Sequence, residues 1–463
     1  MIEGLQPYAE YKESGLPWLG RCPDHWKVRR TKILFQERVQ KGFPNEPLLA
    51  ATQTKGVVRK EDYETRTVTA QKDLHLLKLV ETGDYVISLR SFQGGIEVAH
   101  YRGIISPAYT VLKPRGEAKS GYYSKFFKSR QFIDSLSLFV TGIREGQNID
   151  YERMSRAEMP CPPPDEQAAI VRFLDHANRK IDGFIRAKRK LIALLGEQKQ
   201  AIIHRAVTRG LDPNAPLKPS GIPWLGDIPQ HWEVRRIKYL LREVDNRSAT
   251  GKEQLLSMRM HHGLVVFAEH FSRPPQAATL VGFKIVKPRQ FVVNRMQAGN
   301  GVIFPSCLNI TGLVSPDYAV FDPIADVNVD YLGELFRTRT VRTKFRAESK
   351  GLGTGTSGFM RLYNDRFGAI HIPLPPRADQ DAILKGLGEE LSDLNAAIAR
   401  TEREIALMQE YRTRLTADVV TGKLDVRPAA ANLSEEAEGT EETLDTTTGD
   451  EGESTEELET TLP

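Results

Sequence analysis

The chain has 463 residues, 40% of them hydrophobic, too many for one ordinary core and enough to fill two or three. No run approaches the roughly 18 apolar residues of a membrane span, the opening "MIEGLQPYAEYKESG" lacks the basic and apolar segments of a secretory signal, and Cys22, Cys161 and Cys307 stand far apart without a CxxC or a histidine pair at zinc spacing, so a cytoplasmic protein with no membrane attachment, disulfide framework or metal site is expected. The formal charge of +4 is uneven: residues 431–463 hold 12 of the 60 acidic residues and no Lys or Arg, so residues 1–430 set 48 acidic against all 64 basic residues, a net +16 that favours a polyanionic partner.

The first phrase of note, "SGLPWLGRCPDHWKVRRTKILF" from Ser14 to Phe35, returns as "SGIPWLGDIPQHWEVRRIKYLL" from Ser220 to Leu241, identical at 14 of 22 positions. Self-similarity of this kind has to be settled before any motif is weighed. "ISPAYTVLKP" at Ile105 returns as "VSPDYAVFDP" at Val314, and "PCPPPDEQAAI" at Pro160 as "PLPPRADQDAI" at Pro373, while the offset grows from 206 to 213. One unit is therefore used twice. Each globular part reads as mixed α/β, of the α+β kind, with short strands. "YVISL" at Tyr85 and "FVVNRM" at Phe291 are strand candidates at equivalent places, and "YYSKFFKSRQFIDSL" and "DYLGELFRTRTVRTKF" have amphipathic helical spacing.

After each globular part, prolines break the chain and a helical pattern begins. Ile170, Leu174, Ala177, Ile181, Phe184, Lys188, Leu191, Leu195, Gln198 and Ile202 alternate by four and three, as do Leu384, Leu387, Leu391, Leu394, Ile398, Thr401, Ile405, Met408, Arg412, Leu415 and Val419. A seam held over about five heptads predicts two long antiparallel coiled-coil helices and, with the repeat, a pseudo-twofold arrangement. The expected order is a first recognition domain at 1–160, a central helical spacer at 161–211, a second domain at 212–375, a distal helical spacer at 376–426 and an acidic disordered tail at 427–463.

The duplicated "SGxPWLG…P.HW.VRR" phrase, the "PxPP..xxQxxI" joint before each helix, and the "VTRGLD" and "VVTGKLD" endings resemble the specificity subunit of type I restriction-modification systems, in the same order of domains, nearly to Asp425. The resemblance implies a non-catalytic subunit that reads a bipartite, asymmetric double-stranded DNA site through two target-recognition domains. It also implies two methyltransferase subunits and restriction-translocase subunits as partners, with S-adenosylmethionine, ATP and Mg held by those partners and no cofactor in this chain. The alternatives from other classes are a coiled-coil scaffold that does not touch DNA and a self-contained methyltransferase or nuclease. No Asn-Pro-Pro-aromatic signature supports the latter, and "GLGTGTSG" at Gly351 lacks the lysine of a P-loop.

Residues identical in the two halves are poor candidates for reading different bases. Trp18, Trp26, Trp224, Trp232, His25 and His231 are accordingly assigned to structure, and Arg29, Arg30, Arg235 and Arg236 are either solvated charges or phosphate contacts that both halves need alike. Specificity belongs where the copies differ. There the candidates for base readout are Lys55, Arg59, Arg66, Arg90 and Gln93 in the first half and Arg259, His261, Arg295, Gln297 and Asn300 in the second, because Arg matches guanine O6/N7, and Gln or Asn matches adenine N6/N7, in the major groove.

Overall fold

The computed structural model describes residues 5–53, 55–63, 73–89, 91–141, 148–260, 262–352 and 359–433. They fall into two compact units. One holds the described residues up to Ile185 together with those from Ala406 on, and the other holds Arg186–Ile405. Among the described residues no helix is long and apolar enough to cross a membrane.

In the first unit a four-stranded antiparallel sheet runs in the order Phe35–Glu37, Thr110–Pro114, Tyr85–Ile87, Glu97–Val98. Val111 pairs with Val86 and Leu112 with Tyr85, so alternate side chains face the two sides of the sheet. Tyr85 and Leu112 meet an aromatic cluster of Phe35, Tyr123, Phe126, Phe127 and Phe132, all buried, while Val86 and Val111 cover a smaller core with Leu49, Val57 and Val80. The strand of the repeated phrase, Lys27–Arg30, pairs antiparallel with Glu158–Cys161 and so delivers the chain to the proline joint.

The second unit has the same central order: Leu241–Val244, Ala319–Pro323, Phe291–Val293, Ile303–Pro305. Glu233–Arg236 pairs with His371–Leu374 as its counterpart does. A second four-stranded sheet here joins Gly263–Val266, Gln254–Arg259, Gly312–Val314 and Lys284–Val286, with Gln254 and Gly312 paired in parallel. In the first unit the matching strands form two hairpin-like pairs, linked by a lone parallel bridge between Leu48 and Ile104.

The strand candidates at Tyr85 and Phe291 are strands. Each amphipathic helical stretch is two helices, Ser120–Phe126 with Arg130–Ser135 and Val329–Arg337 with Arg339–Glu348. The break has the same cause in both. Ser129 and Thr338 are extended, and their hydroxyls donate to the carbonyls of Phe126 and Leu335 at 2.7 Å, which diverts the carbonyl from the helical ladder.

The first long helix spans Pro164–Arg209 and the second Arg377–Val420. At 1.5 Å per residue they measure about 69 and about 66 Å. In the first unit Ile170, Leu174 and Ala177 share a core with Leu415, Val419 and Val420, and Arg412 pairs with Asp182. In the second unit Lys188 meets Glu404 at 2.6 Å, Lys199 donates to Asn395 at 2.8 Å and Arg205 to Glu390 at 3.1 Å, so the two helices run antiparallel there. The buried stripe departs from the heptad reading: Ile185 is buried, whereas Phe184 and Leu191 are exposed. A straight 3.6-residue helix drifts about 20° per heptad from a 3.5 repeat, which moves the contact line onto the next residue.

The tail expected to be disordered from 427 on does not begin so: Arg427–Ala431 forms a short helix, held because Val426 and Ala430 are buried in the first core. The acidic segment expected to be disordered lies outside the described residues from 434 on.

Candidate nucleic-acid interface

The repeated phrase builds a clasp at the base of each unit. In the first, Glu166 at the start of the long helix has a side chain only 2% exposed, and its carboxylate accepts from Trp26 Nε1 at 2.8 Å and from the Tyr8 hydroxyl at 2.5 Å, while His25 Nε2 lies at 2.7 Å. Gln167 donates to the Pro162 carbonyl at 2.7 Å and accepts from the Lys119 amide at 2.9 Å. Gln380 repeats both bonds with Pro375 and Asn328 at 2.9 and 2.7 Å. Tyr122 donates to the Val420 carbonyl at 2.8 Å in one unit and Tyr331 to the Val207 carbonyl at 2.9 Å in the other, each tying the domain to the end of a long helix. Trp26 and Trp232 are buried, and Trp18 packs on Phe126 and Phe132. These side chains are engaged in packing and hydrogen bonds within the fold.

The four arginines of the phrase are not equivalent. Arg29 lies 3.6 Å from Glu117, whose carboxyl is held below its usual range by a hydrogen bond from Lys27, with the charges of Lys27 and Arg29 adding to it. Arg235 pairs with Glu233 at 2.8 Å, and Arg236 Nε donates to His371 at 3.1 Å. Arg30 is exposed, and its side chain makes no ion pair or hydrogen bond among the described residues.

Of the candidates that differ between the halves, Arg66, Arg90 and His261 lie outside the described residues. In the first unit the structure brings two separate stretches together. Lys55 is exposed at the tip of the hairpin formed by Leu49–Thr52 and Gly56–Arg59, its amide held by the Thr52 hydroxyl at 2.9 Å. Gln93 is exposed on the short turn Ser91–Gly94. Lys128 Nζ joins them by donating to the Gln53 carbonyl at 3.0 Å and the Gly94 carbonyl at 2.8 Å, and it pairs with buried Glu97, whose carboxyl is raised by desolvation against the pull of Lys128. Arg59, on the same hairpin, stacks over Tyr101 at 4.9 Å and lies 3.9 Å from Glu61.

In the second unit Arg259 ends its strand with its guanidinium 5.1 Å over the Phe271 ring. Asn300 is exposed on the loop after Phe291–Val293 and accepts from Arg346 at 2.9 Å, and Gln297 is half-buried there, its carbonyl accepting from the Asn300 amide at 2.9 Å. Arg295 is otherwise employed. Its guanidinium binds Glu243 at 2.6 Å and Asn364 at 3.1 Å with the side chain 15% exposed, which leaves little of the fork for a base. Three residues escaped the sequence reading. Gln53 stands two positions before Lys55, exposed against Gly94, and Lys128 and Arg346 hold the loops from below. Gln53 stands beside the candidates Lys55 and Arg59 in sequence, and Arg346 in the basic run "RTRTVRTKFR". Nothing local marks Lys128, whose three acceptors are 31 to 75 residues away.

No family model matches the chain. It is 23% identical over 459 residues, covering 92% of this chain and all of the relative, to a Methanocaldococcus jannaschii protein named as the specificity subunit of a type I restriction enzyme, MjaX. A solved structure described under complex assembly and conformational transition of the type I R-M system superposes with a TM-score of 0.58 at 13% identity, over 87% of this chain and 99% of that one. The HsdS subunit of Thermoanaerobacter tengcongensis matches over 88% of this chain and 98% of its own at 14% identity, with a TM-score of 0.43. The resemblance read from the repeated motifs is thus to specificity subunits along essentially the whole chain, and the 0.58 superposition supports the same fold.

Proposed function

We propose that this chain is the DNA-specificity subunit of a type I restriction-modification complex, non-catalytic itself, which selects a bipartite and asymmetric duplex site and recruits methyltransferase and restriction subunits to it. One observation carries the reading. The tryptophans Trp26 and Trp232 and the tyrosines Tyr122 and Tyr331, identical in the two halves, are buried in a clasp at each helix, whereas exposed Lys55, Arg59 and Gln93, and Asn300 with half-buried Arg259, sit on loops and strand ends where the halves differ. Two frames alike and two reading surfaces unlike suit a split site whose halves are different sequences. The paired long helices then act as the spacer between half-sites, and S-adenosylmethionine, ATP and Mg act in the partner subunits.

The test is duplex binding by the complex assembled with its methyltransferase subunits. Affinity is expected to fall with salt by a log-log slope of about −0.9 for each phosphate neutralised. Arg30→Ala is expected to weaken all duplexes alike and to reduce that slope by about one contact, whereas Gln93→Ala and Asn300→Ala each relax one half-site only. Binding that ignores salt, or that is absent from the assembled complex, contradicts the reading and favours a scaffold.

A further inference from the structure

The repeat extends further upstream than the tryptophan phrase. "LQPYAEYKESG" at Leu5 aligns with "LDPNAPLKPSG" at Leu211 at the same offset of 206, placing Asn214 where the first copy has Tyr8. The backbones agree: Tyr11 pairs with Pro23 as Leu217 pairs with Pro229, and the Asp24 amide bonds the Glu10 carbonyl as the Gln230 amide bonds that of Pro216. The Tyr8 ring fills the clasp of the first unit. It lies 5.6 Å from the His25 ring and 6.2 Å from that of Trp26, is covered by Arg427, and sends its hydroxyl to Glu166. Burial and the Glu166 carboxylate push its phenol far above its ordinary value, so the hydroxyl stays a donor.

The second unit lacks that ring and has a cavity. Its volume is ≈ 170 Å³, and its lining includes Leu211, Pro229, His231, Trp232, Asp379 and Ile383. Asn214 is exposed, its amide held by Asp212 at 2.8 Å. Asp379 takes the place of Glu166 and is one methylene shorter. It meets His231 through Oδ2 at 2.7 Å, and its Oδ1 and the indole N–H of Trp232, a residue 1% exposed, have no side-chain partner among the described residues. An indole donor and a carboxylate oxygen, both open to a ligand at the mouth of a cavity whose other wall is apolar, are the features that orient a small ring ligand.

We infer that this cavity is a binding site for a small monocyclic phenol, the ring packed on Trp232 and Ile383 and the hydroxyl donating to Asp379. The ligand is a free small molecule and not a tyrosine-bearing peptide, because residues 211–214 of this chain already occupy the track that carries Tyr8 in the first unit. The inference does not depend on the proposed function.

The experiment is titration of the full-length chain with p-cresol, toluene and a tyrosine-containing tetrapeptide, followed by calorimetry and by ligand-observed NMR. p-Cresol is expected to bind at one site, at least tenfold more tightly than toluene. Asn214→Tyr, at an exposed position, and Ala382→Trp, on the exposed rim, are each expected to weaken it at least tenfold, and Asn214→Tyr to raise the melting temperature. Absence of p-cresol binding, equal binding of toluene, or unchanged affinity in both variants overturns the site. A peptide that binds more tightly than p-cresol overturns the assignment to a free small molecule.

Discussion

The two clasps are built from one sequence phrase and differ in how tightly they close. In the first, a glutamate buried at the helix start gathers Trp26, Tyr8 and His25, and the chain's opening segment is drawn in so that the Asp425 amide bonds the Gln6 carbonyl at 2.8 Å. In the second, Asp379 and His231 face each other with side chains 39% and 55% exposed. A shorter carboxylate and a missing ring convert a buried network into a surface pair, although the strand pairings of Tyr11–Glu13 with Arg21–Pro23 recur as those of Leu217–Pro219 with Asp227–Pro229. Duplication fixed the backbone here, and single side chains then set how much each copy contributes to stability.

Glu166→Ala against Asp379→Ala is the strongest way to break this comparison. The first leaves two buried donors without an acceptor and is expected to cost about 4 kcal/mol, the second about 0.5 kcal/mol, both read from denaturant unfolding followed separately in each unit. Similar losses would show that the two clasps are energetically alike.

The helix ends sharpen it further. Gly422 and Gly210 both have positive φ, 77° and 80°. A Cβ on Gly422 would overlap Pro23 Cδ and stand 2.8 Å from Pro23 Cγ and 2.9 Å from Trp26, whereas on Gly210 it meets only Trp232 at 3.5 Å. Gly422→Ala should therefore cost about 3 kcal/mol and Gly210→Ala about 1 kcal/mol, as measured by the midpoint of thermal unfolding.

Lys128→Met removes the bond between the Lys55 hairpin and the Gln93 turn. The expected loss is about 2 kcal/mol, moderated because burial already favours the protonated form of Glu97, together with faster amide exchange at residues 49–59 and 91–98 and no change in the second unit.

The smallest effect is electrostatic. Glu117 and Glu404 are held below the usual carboxylate range by hydrogen bonds from Lys27 and Lys188. A carboxylate lowered in the folded state lends stability that is present at neutral pH and is lost as pH falls through the lowered value. Melting temperature should thus be insensitive to these pairs from pH 7 to 5 and decline below about 4, with the Lys188→Met variant showing a shallower decline than the parent.

Much of this architecture is legible in the sequence because it is written twice. Strands at Tyr85 and Phe291 and helices after Pro163 and Pro376 follow from local period and from breakers. The interruptions at Ser129 and Thr338 do not, since a hydroxyl that bonds its own chain looks like any polar residue on an amphipathic face. The reading candidates divide in the same way. That Lys55 and Gln93 are exposed follows from their loops, but the diversion of Arg295 to Glu243, 52 residues away, depends on strand order. Tyr8 was hidden for a different reason: its copy is an asparagine, so the repeat fades where the two clasps diverge.

The central claim is that differing loops read and identical frames hold. Its most direct test is methylation-sensitive sequencing of a host carrying the complex with residues 212–375 exchanged for the same region of a relative. The account predicts that one half of the methylated site changes while the other half and the gap are retained. Loss of both halves, or a site left wholly unchanged, would contradict it.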